Sequence, residues 1–330
     1  MRRATVCVAA AAQLLAVALL DAEGLRGPHT GFYFDQRNGT IRQILGLPGG
    51  AVAGHPLPVP FEIEQAAVAA RADYALVRAK EGGVFLLRGI TSGAPSVTPV
   101  DGIEITPDLL TLAPHETTAL LADTASRRVQ VLRGLPDILE TAPAIKLRGD
   151  CESPAGFAVN DGGNWAVVSA APQAGSLTSI CHVSLAGDGE TRRIASVERA
   201  GPIALLPGDR IAIVTDPAAR RVYAIEDPSN EAVIRVIAGE GDGITDPVGV
   251  GATGEAAERI VVVDAGARKA FLFDLGAPEH RDEVDLPVAP AGCWRTAEAG
   301  LFRVSDGAHP PLYLVSFQSE PKLYFVPVVE

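Results

Sequence analysis

Residues 260–273 read IVVVDAGARKAFLF, an apolar run that ends in Asp264, a short polar turn, and a second apolar run. Residues 119–132 (ALLADTASRRVQVL) and 211–225 (IAIVTDPAARRVYAI) have the same order of features, including a basic pair before the second run. Two short apolar runs joined by a polar turn are typical of a β-hairpin. The sequence therefore predicts a hairpin that occurs more than once.

This hairpin recurs along most of the chain at a nearly constant spacing. Residues 32–45 (FYFDQRNGTIRQIL) fit the template, and residues 74–87 fit it more loosely. The register positions are Asp35, Arg78, Asp123, Ser169, Asp216, Asp264 and Ser316, at spacings of 43, 45, 46, 47, 48 and 52 residues. Short strands repeated at a period in this range are the signature of β-propeller blades.

The repeat resembles the NHL type of propeller repeat, which couples a glycine-rich lead-in and a Pro-x-Gly strand to an Asp-x-x-x-Arg hairpin. The match is best in residues 239–250 (GEGDGITDPVGV), which precede the hairpin at Asp264. Two units depart from the pattern: the fourth has Ser169 and a longer turn, and the seventh has Ser316 and no arginine in its turn. The resemblance implies a β-propeller from about residue 30 onward.

An inner strand is expected before each hairpin, as in residues 157–159, 203–206 and 248–250. The fold class predicted is all-β, a single propeller domain over residues 23–330, with seven blades favoured and six as the alternative. The N-terminal unit shows only a hairpin, so we expect the ring to close between the N- and C-terminal strands. Residues 63–72 have a weak helical pattern, which the repeat register overrides in favour of a strand.

The first 22 residues are predicted to be a signal peptide. Two arginines precede an apolar run from Ala4 to Leu20, and Ala16 and Ala18 within the run, or Ala22 after it, provide small residues for cleavage. We therefore expect an exported protein, periplasmic or secreted, with no membrane span after cleavage; an uncleaved N-terminal anchor is the alternative. In an oxidising compartment Cys151 and Cys181, which share a repeat, are the expected disulfide pair. Three separate buried thiols, with Cys293 as the third, remain the other interpretation.

Composition narrows the classes of partner. The chain has 330 residues, 47% hydrophobic, so it can bury a large core, and its length alone would allow two domains. Its formal net charge of −12 opposes binding to a phosphate backbone, which requires a basic surface. Nucleic acid is therefore not expected as a partner, and the chain is expected to be a monomer.

The aspartate and arginine of the hairpin turn are interpreted as structural, because residues that recur in every repeat differ from catalytic residues, which are usually single. An aspartate at a tight turn accepts hydrogen bonds from nearby backbone amides. An arginine beside it is expected to pair with a carboxylate of the same or the next blade. These structural positions are Asp123, Arg127, Asp216, Arg220, Asp264 and Arg268.

A second recurring set of acidic residues precedes the predicted inner strands. Because neighbouring strands of a blade run in opposite directions, these residues are expected at one mouth of the central channel, where carboxylates attract cations and suit Ca²⁺. The alternative is that they are solvated loop residues that recur with the repeat. The candidate binding residues are Glu64, Glu104, Glu152, Glu198, Asp246 and Glu298.

These observations favour a binding or interaction scaffold without catalytic activity and without a required cofactor. Its partner would be a protein, a peptide or a glycan. No nucleophile elbow, zinc-protease or phosphate-loop motif occurs, so no catalytic residue is assigned. The alternative function is a metal-dependent hydrolase or lyase of the lactonase-like propeller type, with Ca²⁺ or another cation in the central channel.

Overall fold

A computed structural model describes residues 28–170, 176–254, 256, 258–308 and 311–328. The predicted signal peptide lies outside the described residues. The chain forms seven small antiparallel sheets in sequence order, which are the seven blades of one β-propeller. The prediction of an all-β, seven-bladed ring is therefore confirmed, and no helix among the described residues is long and apolar enough to cross a membrane.

The strands are given blade by blade in sheet order, which runs from the channel outward. Blade 1 has β1 (His29–Asp35), β2 (Thr40–Leu45) and β3 (Val52–Pro56), and blade 2 has β4 (Ile63–Val68), β5 (Tyr74–Ala79), β6 (Val84–Arg88) and β7 (Ser96–Pro99). Blade 3 has β8 (Leu109–Leu112), β9 (Thr118–Asp123) and β10 (Arg128–Arg133), with β11 (Glu140–Thr141) and β12 (Ile145–Lys146) both paired to β10. Blade 4 has β13 (Pro154–Val159), β14 (Trp165–Ala170), β15 (Thr178–Ser184) and β16 (Thr191–Val197).

Blades 5 to 7 have four strands each. Blade 5 has β17 (Ile203–Leu205), β18 (Ile211–Asp216), β19 (Arg221–Glu226) and β20 (Val233–Ala238). Blade 6 has β21 (Pro247–Ala252), β22 (Arg259–Asp264), β23 (Lys269–Asp274) and β24 (Arg281–Asp285). Blade 7 has β25 (Trp294–Arg295), β26 (Leu301–Arg303), β27 (Leu312–Ser316) and β28 (Lys322–Val326). Three short 3-10 helices, Ile90–Ser92, Gly149–Cys151 and Glu240–Asp242, lie between strands.

The apolar run that identified the repeat is buried on both faces of its sheet. In β22, Ile260 and Val262 pack in a cluster with blade 5, whereas Val261 and Val263 pack in a cluster with blade 7. Successive side chains of a strand point to opposite faces, so a strand between two neighbouring blades must be apolar at every position. This explains why the run does not alternate with polar residues.

Blade 1 lacks an innermost strand among the described residues. The N–H of Ile63, at the start of β4, donates to the carbonyl of Gly39, just after β1, at 2.9 Å. The N–H of Ala297, just after β25, donates to the carbonyl of Thr30, near the start of β1, at 3.1 Å. Strand β1 therefore runs opposite to the innermost strands on either side of it and occupies the place that second strands take elsewhere.

The ring closes between blades 1 and 7, as the sequence predicted. Tyr33 and Ile44 of blade 1 pack with Leu312 and Leu314 of blade 7 in one buried cluster. After β28 the chain continues to the outer edge of blade 1, where Val328 forms a parallel bridge with Ala53. Strand β28 itself stays in blade 7, paired with β27.

The repeat register fails in blade 7. Ser316 ends β27, the third strand of its sheet, whereas the other register positions lie in second strands or, in blade 1, in the strand that takes that place. The first strand of blade 7 is only Trp294–Arg295, which is too short to give a hydrophobic pattern. The repeat pattern was therefore matched to the second and third strands of this blade instead of the first and second. The largest of the register spacings, before Ser316, comes from this shift.

Two further features concern local predictions. Residues 63–68 form strand β4, in agreement with the repeat register and not with the weak helical pattern. Cys151 and Cys181 are joined by a disulfide, with their Cα atoms 6.4 Å apart. Cys293 is a free, half-buried thiol.

Candidate functional site

The turn aspartates connect each hairpin to the loop that leads into the innermost strand. Asp264 is fully buried and accepts the N–H groups of Thr245 (2.8 Å), Asp246 (2.9 Å) and Ala267 (2.7 Å), and also the Thr245 hydroxyl (2.6 Å). The aspartate therefore holds its own turn and the lead-in loop together. A carboxylate that accepts several backbone amides is a strong structural element because these hydrogen bonds are charge-assisted.

The same arrangement occurs in weaker form in the two preceding hairpins with this motif. Asp216, also fully buried, accepts the N–H groups of Glu198 (2.8 Å), Arg199 (3.1 Å) and Ala219 (3.0 Å). Burial acts to raise the pKa of Asp123, but its carboxylate also accepts hydrogen bonds, chiefly from Ser126. These hydrogen bonds have the larger combined effect, so the pKa of Asp123 is lowered.

The turn arginines have left-handed backbone conformations, with φ of 59° at Arg127, 53° at Arg220 and 52° at Arg268. Two of them contact carboxylates that lie before the next blade. Arg127 pairs with Glu152 at 3.1 Å, and Arg220 pairs with Glu240 at 2.6 Å. These ion pairs are largely exposed, so each contributes little stability, and their main effect is to orient neighbouring loops.

Five of the six candidate carboxylates lie on the start face, the face of the ring on which the innermost strands begin. Glu64 pairs with Arg78 (2.8 Å), and Glu104 pairs with Arg128 (2.8 Å), while Glu152 pairs with Arg127 as described. Glu198 and Asp246 belong to the lead-in loops that the buried turn aspartates hold. The carboxylates of Glu64, Glu104 and Glu152 are thus each paired with an arginine, whereas Glu198 and Asp246 are held through their backbone N–H groups.

Glu298 is not part of this set. It lies between β25 and β26, after the innermost strand of blade 7, and therefore on the end face, where the innermost strands end. There it accepts the side-chain amide of Gln318 at 3.2 Å. The placement of six carboxylates at one mouth was wrong in this respect, for the same reason that the register failed in blade 7. Among the described residues, no three His, Cys, Asp or Glu side chains are grouped closely enough to hold a metal ion.

The central channel contains a cavity of about 260 Å³ toward the end face. Its wall consists mainly of small apolar residues from the ends of the innermost strands, among them Val68, Leu112 and Ala252. Arg295 of blade 7 crosses the channel, and its guanidinium Nη1 donates to the carbonyl of Pro114 in blade 3 at 2.9 Å. Blades 7 and 3 are not neighbours in the ring, so this side chain spans the channel.

A chain of hydrogen bonds runs around the end face through blades 2 to 5. Glu116 accepts the amide of Ala70 in blade 2 at 2.9 Å, and its neighbour His115 donates its own N–H to Asp161 of blade 4 at 2.7 Å. The N–H of Asp161 donates to Asp209 of blade 5 at 3.2 Å. Burial, together with the nearby Asp161 carboxylate, raises the pKa of Asp209.

The sequence analysis missed this chain, although a signal was present. His115, Asp161 and Asp209 follow one another at separations of 46 and 48 residues, which matches the repeat period. They lie in the turns between first and second strands, whereas the repeat pattern rests on the turns between second and third strands and on the loops before the first strands. Like the turn aspartates, these residues connect neighbouring blades and form part of the scaffold.

The outer strand of blade 5 is the most apolar exposed strand edge. In β20, Val233 is 59% exposed, Ile234 41% and Val236 49%. Strand β20 pairs with β19 on one side only and ends its sheet. Exposed, flat, hydrophobic edge strands are sites of strand pairing with another chain.

The sequence matches no protein-family model and no curated protein. Solved structures of similar fold are numerous at low sequence identity. They include the β-propeller domain of Cps50 (Swd1) from Myceliophteria thermophila, at 12% identity and a TM-score of 0.59 over 82% of this chain and 88% of that one. A nidogen/laminin complex is similar at 13% identity and a TM-score of 0.51, over 78% and 93%. Virginiamycin B lyase from Staphylococcus aureus is similar at 12% identity and a TM-score of 0.51, over 92% and 85%. At these identities the likeness shows the fold, a β-propeller, and the three proteins have different functions.

Proposed function

We propose that this chain is an exported β-propeller of the NHL type that acts as a binding scaffold without catalytic activity, and that it binds a protein partner at the outer edge of blade 5. The observation that carries the proposal is the exposure of Val233, Ile234 and Val236 on β20. Ile234 and Val236 are two residues apart and lie on one face of the strand, whereas Val233 lies on the other face. The edge strand therefore exposes apolar side chains on both faces, which water does not favour.

The outer strands of blades 1, 2, 4 and 6 have features that oppose pairing with another chain. Strand β7 ends in Pro99, β16 carries Arg192 and Arg193, and β24 is charged at four of its five positions. The outer edge of β3 is covered at Ala53 by Val328. Charged residues, proline and coverage are the usual ways in which proteins protect sheet edges. Strand β20 has none of these, since its one charged residue, Arg235, is turned to Glu226 at 2.7 Å.

The recurring acidic residues also support a scaffold. Glu64, Glu104 and Glu152 each pair with an arginine at 3.1 Å or less. A metal-dependent hydrolase would use such carboxylates as ligands that converge on one ion. Here each of the three is paired with a separate arginine, so the hydrolase or lyase alternative gains no support from their geometry.

Crosslinking tests the proposal. A photo-reactive amino acid replaces Val236 in the full chain, and a matched protein carries it instead of Ser96 on the protected outer strand β7. Both proteins are irradiated in the exported fraction of the producing cells. We expect an adduct of one discrete mass from position 236 and none from position 96.

A double substitution then identifies the surface. Val233→Lys with Ile234→Lys places charge on the exposed edge of β20, and Ser96→Lys serves as the control. We expect the double variant to lose the adduct while its melting temperature stays within the range of the control. An adduct that survives the double substitution, or one that forms equally at both crosslinker positions, contradicts the proposal. An adduct with the mass of two copies of this chain would also contradict it.

A further inference from the structure

Blade 1 has no innermost strand among the described residues, and a cavity of about 120 Å³ lies between blades 1, 2 and 7. Phe32 and Phe34 of β1 and Ala66 of β4 form apolar parts of its wall. Trp294 and Arg303 of blade 7 form the opposite side. Within the part of the chain that the structure describes, each of the other six blades has an innermost strand on the channel side of its second strand.

Arg303 provides a buried positive charge at this cavity. It is only 7% exposed, and its guanidinium carbon lies 4.1 Å from the centre of the Trp294 ring. It also donates to the carbonyl of Ser305. Burial lowers the pKa of Arg303 to about 10, so the side chain still carries its charge at neutral pH. Guanidinium groups stacked on an aromatic ring keep their in-plane N–H groups free to bind a planar anion.

An independent observation comes from Tyr33, which also lines the cavity. Its side chain is 1% exposed, and its hydroxyl has no hydrogen-bond partner among the described residues. A buried hydroxyl without a partner is unfavourable, and in native proteins it usually indicates a bound water or ligand. The guanidinium carbon of Arg303 lies 5.8 Å from the centre of the Tyr33 ring, and both side chains line the cavity.

The other charged groups at the cavity are Arg295 and Asp306. Each of these takes part in an interaction of its own within the protein. With two arginines and one aspartate the site has a net positive formal charge. This contrasts with the protein as a whole, whose formal net charge is −12.

We propose that this cavity binds the carboxylate of a small organic acid, with Arg303 and the Tyr33 hydroxyl as donors and Phe32, Phe34 and Trp294 as apolar walls. A carboxylate matches the planar donor arrangement of a guanidinium and accepts a further hydrogen bond from a phenol. Apolar cavities of roughly 150 Å³ admit a benzene ring, and this cavity, at about 120 Å³, is somewhat smaller, so it suits a short-chain acid or the carboxylate end of a single-ring acid. The carboxylate belongs either to a free acid or to the C-terminus of a peptide.

Trp294 provides the readout, because it forms one wall of the cavity. In a Trp165→Phe background, where Trp294 is the remaining tryptophan, its fluorescence is followed during titration with acetate, benzoate and benzyl alcohol. We expect saturable changes with acetate and benzoate, tighter binding of benzoate, and no saturation with benzyl alcohol, which has the ring but no charge. N-acetylphenylalanine is the fourth probe: tighter binding than benzoate assigns the site to a peptide C-terminus, and weaker binding assigns it to a free acid.

Tyr33→Phe is the decisive variant, because it removes only a hydroxyl that has no partner in the protein. We expect an unchanged or raised melting temperature and a loss of benzoate affinity of about tenfold, the effect of one hydrogen bond to a charged group. Tyr313→Phe in the same pair of blades is the matched control and should bind benzoate normally. Equal binding by Tyr33→Phe, or equal binding of benzyl alcohol and benzoate, would overturn the proposal. So would an absence of saturation by benzoate up to about 50 mM, a very weak limit for a charged contact.

Discussion

Replacing Asp264 with alanine should destabilise the propeller far more than replacing an exposed aspartate. Each carboxylate oxygen of Asp264 accepts two hydrogen bonds, and three of the four donors are backbone amides. The residue is fully buried, so these amides would lose their partner without gaining full access to water. An unsatisfied buried donor costs about 1–3 kcal/mol. With some water entering the vacated space, we expect a loss of about 4 kcal/mol.

Urea unfolding, followed by fluorescence and by circular dichroism, measures this loss, and coincident transitions would justify a two-state treatment. A domain of about 300 residues has an unfolding entropy near 0.6 kcal/mol/K, so a loss of about 4 kcal/mol lowers the melting temperature by roughly 6 °C. Asp285→Ala is the control, because its side chain is 88% exposed, 3.5 Å from Lys269. We expect this control to change the stability by less than about 0.5 kcal/mol.

Asp264→Asn separates hydrogen bonding from packing. Asparagine has nearly the same shape, but its NH₂ group replaces an acceptor oxygen with a donor and leaves two of the four donors unsatisfied. We therefore expect this variant to lose about half as much stability as the alanine variant. If Asp264→Asn is as stable as the wild type, the reasoning is refuted, because the alanine effect would then come from the empty volume. Asp216→Ala, which removes three hydrogen bonds, should fall between Asp264→Ala and the control.

Three further predictions concern the disulfide, the metal and the free thiol. The disulfide between Cys151 and Cys181 spans a separation of 30 residues. Replacing both cysteines with alanine should therefore reduce the free energy of unfolding, measured in urea, by about 3.5 kcal/mol. A loss below about 1 kcal/mol would show that the disulfide constrains the unfolded chain little. A chelator should leave the melting temperature unchanged, and a fall of several degrees that Ca²⁺ restores would instead favour the metal-dependent alternative. Burial raises the pKa of Cys293 to about 12, so its alkylation rate should increase about tenfold per pH unit up to pH 10. A plateau near the ordinary thiol pKa of about 8.5 would contradict that shift.

The hairpin pattern was sufficient to predict the propeller because of how a blade is packed. A strand such as β22 is covered on both faces by neighbouring blades, and its continuous apolar run is therefore visible in the sequence. The aspartate after the run is visible for a related reason, since its backbone partners recur in each repeat. Features that the packing of every blade requires are repeated, and repetition can be detected without any alignment.

The prediction failed where local packing relaxes the pattern. The first strand of blade 7 has two residues, Trp294–Arg295, and neither is the small apolar residue that lines the rest of the channel. Because this first strand is not recognisable in the sequence, the second strand, Leu301–Arg303, was interpreted as the inner strand. Glu298 precedes that strand, and it was therefore placed on the wrong face of the ring. The absent inner strand of blade 1 was apparent as an incomplete unit, but the sequence could not show which residues would line the resulting space.

These two irregular blades are adjacent in the ring, and their meeting point differs chemically from the rest of the channel. Residues that occur once in a repeat protein are not required by the repeat, so they can serve a separate purpose. At this meeting point stand Trp294 and Arg295 of the innermost strand of blade 7 and Arg303 of its second strand, whereas mainly aliphatic residues of the innermost strands line the rest of the channel. Two arginines and a tryptophan would be a costly way to fill space, because burying a guanidinium requires compensating interactions. Arg295 has such an interaction with the Pro114 carbonyl, and Arg303 has one with the Ser305 carbonyl and another with the Trp294 ring. The benzoate titration tests whether a bound carboxylate adds a further interaction at Arg303.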